Sequence, residues 1–229
     1  MRVLRSLLLP VVALALAVPA VAQNPFQSQV QVAPSGPAWD NPTAFGFLVG
    51  GYPGRILSWP GVGAVPGTGY QDFYCVDLGH RISQGASWYA WISQVGGGDL
   101  TQTRLGNAGL GNYTRAAYLA GLFDQYDQMW WGGIHAQIWK EMGNYTITST
   151  MAIAASDFWN HHVALNPGLT WEQAVASVNT DYWYVVSDVD GQRQEFLTYV
   201  TPEPETIFLL GTGLVAVFGM TIVMRRSLG

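Results

Sequence analysis

The sequence predicts a single α+β domain whose antiparallel β-sheet, a sandwich or barrel-like in form, is interrupted by a helical section. Short apolar runs bounded by glycine and proline occur before residue 96 and again after residue 181, which is typical of strands. Between them, apolar residues recur at the spacing of a helix face. Strands, then helices, then strands is an order that favours an α+β domain with an antiparallel sheet.

Six segments rich in aromatic and β-branched residues are the predicted strands. They cover residues 45–49, 54–59, 71–78, 87–95, 182–186 and 195–199. Each segment is flanked by residues that favour turns. Asp190-Gly191 predicts the tight turn of a hairpin that joins the last two strands.

Four segments in the middle of the chain are the predicted helices. They cover residues 114–126, 129–142, 156–165 and 171–178. Asp127 is the predicted N-cap of the second helix, and Gly143 is its predicted end. Thr170 and Gln173 have the spacing of a capping box, which predicts the start of the fourth helix.

The first 22 residues are predicted to be a signal peptide. Arg2 and Arg5 precede an uncharged apolar run that closes in an Ala-Val-Ala tripeptide ending at Ala22. A positive start, an apolar middle and small residues at the end form the pattern that signal peptidase recognises. We therefore expect export, with cleavage between Ala22 and Gln23.

Residues 207–224 are predicted to be a transmembrane helix. The run contains no charged residue, and roughly 18 apolar residues suffice to cross the core of a bilayer. Arg225 and Arg226 follow directly and mark the cytoplasmic side by the positive-inside rule. We expect a precursor anchored in the inner membrane, with its domain outside the cytoplasm.

The same end of the chain resembles a PEP-CTERM sorting tail. Pro202-Glu203-Pro204, the apolar segment with its Leu-Gly-x-Gly-Leu sequence, and the terminal Arg225-Arg226 carry the resemblance, which covers residues 200–229. It implies recognition and cleavage near Pro-Glu-Pro by an exosortase of a Gram-negative bacterium. It also implies a place at the cell surface or in the extracellular matrix, in association with exopolysaccharide or biofilm.

Between the two ends, residues 23–43 predict a flexible lead-in and residues 44–199 predict the extracytoplasmic domain. Hydrophobic residues make up 49% of the chain, which is enough to form a core and argues against disorder. The 15 acidic residues outnumber the 10 basic ones, and no basic cluster occurs, so nucleic acid is not an expected partner. No cofactor is expected, and no spacing of histidine, cysteine or carboxylate residues predicts a metal site.

Cys75 is the only cysteine, and it lies in a predicted strand with the sequence Phe-Tyr-Cys-Val-Asp-Leu. Residues 134–139, with the sequence Ile-His-Ala-Gln-Ile-Trp, lie in a predicted helix. Together the two segments resemble bacterial thioester domains, and the resemblance covers residues 73–142. It implies a strand cysteine and a helix glutamine that condense into an internal thioester. Such a bond captures an amine or a hydroxyl and so attaches the protein covalently to a target surface.

The helix segment departs from the family pattern in the position of its glutamine. The family's glutamine lies four residues before the tryptophan, and His135 holds that position here. On a helix His135 shares a face with Trp139, whereas Gln137 points nearly the opposite way. The sequence therefore predicts that His135 faces the core towards Cys75 and that Gln137 lies in solvent beside Glu141.

These residues leave several functions open. The favoured hypothesis is a non-enzymatic binding or structural protein, with Cys75 and His135 as packed core residues of a thioester-like scaffold that lost its chemistry. A covalent adhesin with a thioester from Cys75 to Gln137 is one alternative. A hydrolase with a Cys75–His135 dyad is another, because an imidazole beside a thiol can produce a nucleophile. A carbohydrate-binding module is a further alternative, since tryptophans can stack on sugar rings. The tryptophans that suggest it are Trp59, Trp88, Trp91, Trp130, Trp131 and Trp183.

Overall fold

The computed structural model describes residues 25–33, 42–58, 70–143 and 145–200. Its centre is a closed antiparallel barrel of six strands in the order β1–β4–β5–β8–β7–β6, which confirms the α+β class and the barrel form of the sheet. The barrel strands are β1 (Phe26–Val32), β4 (Gly51–Ile56), β5 (Gln71–Cys75), β6 (Ser87–Gln94), β7 (Trp183–Asp188) and β8 (Phe196–Tyr199). A separate small hairpin consists of β2 (Thr43–Ala44) and β3 (Phe47–Leu48).

β1 corrects the prediction that residues 23–43 are a flexible lead-in. Phe26–Val32 alternate between buried and more exposed positions, with Val30 and Val32 fully buried, as one face of a barrel wall requires. β1 pairs with β6 from Phe26 to Gln31 and with β4 from Val30 to Val32, so this strand closes the barrel. The domain therefore begins well before residue 44.

The pairing of β5 with its two neighbours positions the residues discussed below. β5 lies between β4 and β8, and its last residue, Cys75, is opposite Phe196. β7 and β8 form the predicted hairpin, in which Trp183 is opposite Tyr199. Gly191 lies in the connecting turn with φ +68°, a left-handed conformation that favours glycine.

The helical section lies between β6 and β7, as predicted, with some shifted boundaries. Its helices are α1 (Leu110–Ala120), α2 (Trp131–Met142), α3 (Ser149–Leu165) and α4 (Trp171–Ala176). Gly143 ends α2 in a left-handed conformation, and Thr170 and Gln173 form the predicted capping box. Asp127 makes no side-chain capping bond, because the chain enters α2 through a 3-10 turn. α3 begins earlier than predicted, since Thr148 caps it by accepting a hydrogen bond from Met151.

α2 packs between the barrel and the other helices. It contacts both α1 and α3, and residues 133–139 are all buried. A Cβ atom at Gly133 would lie only 2.7 Å from the Cβ of Phe158, so the absence of a side chain there allows α3 to approach closely. α2 is therefore covered on nearly all sides rather than along one stripe.

The predictions for the two ends of the chain lie outside the described residues. These are the signal peptide 1–22, with its cleavage site between Ala22 and Gln23, and the tail 200–229 beyond Val200, with its transmembrane helix 207–224. Within the described part of the chain, no helix combines the length and the apolar character needed to cross a bilayer.

We expect β1 to contribute measurably to stability. Val30→Ala, at a fully buried position of β1, should lower the free energy of unfolding by about 2 kcal/mol, because it removes buried methyl groups and leaves a cavity. Gln27→Ala, at an exposed position of the same strand, is the matched control and should change it by less than about 0.5 kcal/mol. Urea unfolding of the full chain in detergent measures both. Equal effects of the two substitutions would contradict a structural role for β1.

Candidate functional site

Cys75 and Gln194 are in direct contact at one end of the barrel. The Gln194 side-chain nitrogen Nε2 lies 2.7 Å from the Cys75 sulfur, and both side chains are buried. Whichever way the amide is turned, its carbonyl carbon Cδ is one bond from the atom that touches the sulfur. The main-chain oxygen of Asp77 accepts hydrogen bonds from both groups, at 3.2 Å from Cys75 Sγ and 3.3 Å from Gln194 Nε2. The structure thus places a thiol against a carboxamide.

The environment of Cys75 keeps its sulfur in the thiol form. Burial raises the pKa of the Cys75 thiol to about 12, although the Asp77 main chain and the side chains of Trp139 and Gln194 act in the opposite direction. The indole N–H of Trp139 lies close enough to the sulfur to favour the thiolate but does not complete a hydrogen bond of good geometry among the described residues. It is therefore a buried donor available to charge that develops on the sulfur.

The carboxylate of Asp77 connects the site to two positively charged or ionisable groups. It is fully buried, and its Oδ2 lies 2.7 Å from Arg104 Nε and 2.8 Å from His80 Nδ1. Its Oδ1 accepts a hydrogen bond from the Gly79 N–H at 2.9 Å. A buried carboxylate needs such partners, because an isolated charge in the interior is strongly unfavourable. Asp77 therefore fixes the segment that follows Cys75.

The neighbours of Gln194 are held in place by a second group of hydrogen bonds. Glu195 is fully buried and accepts from Tyr113 of α1 at 2.6 Å, from Ser187 of β7 at 2.6 Å and from the Arg104 main chain at 3.0 Å. Burial raises the pKa of Glu195, while Ser187, Tyr113 and Arg104 lower it. The Arg104 guanidinium also donates to the main-chain oxygen of Arg193. Both residues that flank Gln194 are thus tied to the rest of the fold.

His135 and Gln137, the two predicted helix partners of Cys75, are bonded elsewhere. His135 is fully buried, as predicted, but its Nδ1 accepts from the Gly50 N–H at 3.1 Å, and burial lowers its pKa to about 3. The prediction that Gln137 lies in solvent is wrong: it is 2% exposed, because α2 is covered on nearly all sides. Gln137 donates to Glu141 at 2.9 Å. Among the described residues, no hydrogen bond joins either side chain to Cys75.

A groove of about 250 Å³ opens beside the Cys75–Gln194 contact. Its lining includes Phe47, Tyr52, His80, Arg81, Ile82 and Gln194. The hairpin β2–β3 supplies one side, and the segment after β5 supplies the other. The groove gives molecules outside the barrel a route to the Gln194 side chain.

The tryptophans expected to bind sugars do not form an exposed platform in the described parts of the chain. Trp88 and Trp183 are buried, Trp91, Trp130 and Trp131 are half-buried, and Trp59 lies outside the described residues. Trp130 stacks on His161 at 4.2 Å between ring centres, so one of its faces is occupied. Over the same described segments, no group of three or more histidine, cysteine or carboxylate residues is arranged to hold a metal ion.

Gln194 is the residue of the candidate site that could not be found from the sequence. It lies 119 positions after Cys75, immediately before the last predicted strand. A pairing of the Cys75 strand with the last strand would have brought the two together, but pairing over that distance has no local sequence signal. Gln137, by contrast, lies within the segment that resembles thioester domains, so the sequence favoured it as the partner of Cys75.

Among the comparisons with known proteins, the match falls on the tail of the chain. A family model, the PEP-CTERM protein-sorting motif, matches residues 200–226. The chain is therefore a protein with a PEP-CTERM sorting tail, exported with the help of an exosortase and sorted to the cell envelope or surface. Searches of curated proteins and of solved structures gave no match to the chain.

We expect His135 to make stability depend on pH in the acid range. Its pKa is about 3 in the folded state and about 6.5 when unfolded, so between these values the unfolded chain binds a proton that the folded chain does not. The free energy of unfolding should therefore fall as the pH is lowered through this window, by up to about 1.4 kcal/mol per pH unit from this residue.

The measurement is urea unfolding at a series of pH values for wild type and for His135→Asn, which keeps an acceptor for Gly50 N–H. The substitution should flatten the slope below pH 6.5. Gln27→Ala, which removes no ionisable group and lies at an exposed position of β1, is the control and should retain the wild-type slope. An unchanged slope in His135→Asn would mean that folding does not lower the pKa of His135.

Proposed function

We propose that this chain is a surface protein that attaches covalently to its target through an internal thioester between Cys75 and Gln194. The contact of 2.7 Å between Gln194 Nε2 and Cys75 Sγ is the observation that carries the proposal. The thioester is the bond implied by the resemblance around Cys75, but its acyl partner is Gln194 on the barrel rather than Gln137 on α2. The protein acts once per molecule and is not an enzyme.

The bond forms by attack of the Cys75 sulfur on Gln194 Cδ. The C–S bond forms, the C–N bond of the amide breaks, and the nitrogen leaves as ammonia with the proton of the thiol. A pKa of about 12 makes the thiolate scarce, so the reaction depends on the fixed position of the two groups. Because the fold already holds the thiol against the amide, the two groups need not meet by diffusion. This positioning can supply much of the lowering of the activation barrier. The Trp139 N–H can stabilise negative charge on the sulfur in both directions of the reaction.

The buried position preserves the bond until a target arrives. Cys75 is 1% exposed and Gln194 is 6% exposed, so water has little access to the acyl carbon. A nucleophile that enters by the groove attacks Gln194 Cδ, the C–S bond breaks, and Cys75 recovers its thiol. The target is then joined to the Gln194 side chain by an amide or an ester bond.

The sorting tail supports this function because it takes the barrel to the place where targets occur. A PEP-CTERM motif at residues 200–226 directs the chain to the cell envelope or surface. Attachment there would anchor the cell or its matrix, which fits an exopolysaccharide or biofilm setting. A hydrolase built on Cys75 and His135 has less support, since the His135 Nδ1 is occupied by Gly50.

The intact mass of the exported full chain, purified in detergent, tests the thioester directly. We expect a mass lower by one ammonia than the sequence requires. Methylamine should replace this deficit by an excess of one methylene group, because the product carries an N-methylated amide at Gln194. Cys75→Ala and Gln194→Ala should each show one ammonia less of deficit than wild type and no methylamine adduct. A deficit of one ammonia that all variants share would come from cyclisation of Gln23 at the new N-terminus, and methylamine does not reverse it. Gln137→Ala, which changes a buried glutamine on α2, is the matched control and should retain both.

Two results would contradict the proposal in different ways. A full mass in wild type, with an unreactive thiol, would leave an inert scaffold and restore the hypothesis of a non-covalent surface protein. A deficit that disappears in Gln137→Ala and persists in Gln194→Ala would make α2 the source of the acyl group.

We expect the tail and the barrel to be separable in function. Replacing Pro202-Glu203-Pro204 by alanines should block exosortase processing and retain the chain as an unprocessed precursor, because the motif carries the sorting signal. The mass deficit should persist, since the barrel does not include these residues. Cell fractionation with an antibody against the barrel measures the first effect, and intact mass measures the second. Normal processing of the substituted chain would contradict the role of the motif.

A further inference from the structure

His80 lies in the groove in an arrangement suited to a general base. Its Nδ1 is 2.8 Å from the buried Asp77 carboxylate, and its side chain is 25% exposed. The carboxylate fixes the proton on Nδ1, so the other ring nitrogen, Nε2, presents a lone pair. In the described part of the chain Nε2 makes no hydrogen bond. A carboxylate that orients an imidazole in this way is the usual means of preparing a base for catalysis.

The orientation of His80 is supported from both sides. Asp77 is itself held by Arg104 and by the Gly79 N–H. Tyr145 packs directly over Gly79, where a Cβ atom would lie 2.0 Å from its ring, and its hydroxyl is 3.3 Å from His80 Nδ1. The imidazole is thus held by a buried carboxylate and packed against an aromatic ring, and neither contact uses Nε2.

The charges around the groove favour a neutral nucleophile over a cationic one. Arg81 lines the groove, with its guanidinium 5.9 Å from the centre of the Phe47 ring, and no carboxylate is among the described lining residues. Asp77, the carboxylate that contacts the lining residue His80, is fully buried and paired with Arg104. A lysine ammonium is therefore repelled by Arg81 and finds no carboxylate among the described lining residues. A neutral hydroxyl is not repelled. Hydroxyl groups, however, are weak nucleophiles at neutral pH and need a base.

We propose that His80 is the general base that directs the Gln194 acyl group to hydroxyl-bearing targets, polysaccharides above all, rather than to lysine amines. This inference rests on the thioester proposed above. His80 Nε2 takes the hydroxyl proton as the target oxygen attacks Gln194 Cδ, and an ester bond forms. The C–S bond breaks, and the proton passes from His80 to the Cys75 sulfur as it leaves, so the imidazole returns to its neutral form.

The test compares two small probes on the full chain purified in detergent, with glycerol as the hydroxyl and methylamine as the amine. His80→Asn keeps a donor for the Asp77 carboxylate and removes the base. We expect it to lower the rate of glycerol ester formation by roughly a hundredfold, near the lower end of what general base catalysis contributes, and to change methylamine capture little. Intact mass follows both products, and each rate is taken per molecule of thioester, so a lower yield of the bond does not affect the comparison.

His161→Asn makes the same chemical change at a histidine outside the groove, and it should match wild type with both probes. An unchanged glycerol rate in His80→Asn, or a wild-type chain that captures methylamine and never glycerol, would overturn the role of His80 while leaving the thioester intact. A wild-type chain without the ammonia deficit would instead remove the thioester itself, and the role of His80 with it.

Discussion

The site depends on the antiparallel register between β5 and β8. Cys75 is opposite Phe196, so the segment that follows Cys75 runs beside the residues that precede Phe196. The Val76 N–H donates to the Glu195 main chain, and the Asp77 main chain accepts from Gln194. A shift of one residue in either strand would turn Gln194 to the other face of the barrel wall. The whole contact therefore follows from one pairing between strands that are distant in sequence.

Two fully buried carboxylates maintain that register at considerable electrostatic cost. Asp77 and Glu195 flank the Cys75–Gln194 contact, and Arg104 touches both, through its guanidinium and its main chain respectively. Removing charges from water costs several kcal/mol per ion, and apolar residues of similar volume often serve stability as well or better. We interpret the arrangement as one that fixes geometry, since a bond between two side chains requires positions accurate to a fraction of an ångström.

Much of the fold could be predicted from local sequence signals. The parts that could not be predicted are fixed by residues that are distant in the sequence. Gly143, the Thr170 capping box and the hairpin near Gly191 have short-range signals, and the structure confirms them. β1 was missed because its outward positions are glutamines and one of its buried positions is Ser28. Its strand character appears only when β4 and β6 pair with it. Gln194 was missed for a similar reason: its partner is 119 positions away, and no periodicity reports that distance.

The short path from Gln194 to the tail has a mechanical consequence. β8 ends at Tyr199, and the sorting motif begins at residue 200. A target bonded to the Gln194 side chain would therefore pull on the chain just before β8, so the shortest covalent path from the target to the sorting motif runs along this one strand. Pulling would not need to unfold the barrel before the load reached the cell. The attachment point and the sorting motif would then lie on one short stretch of chain, and β5 and β7, which pair with β8, would brace that stretch against the pull.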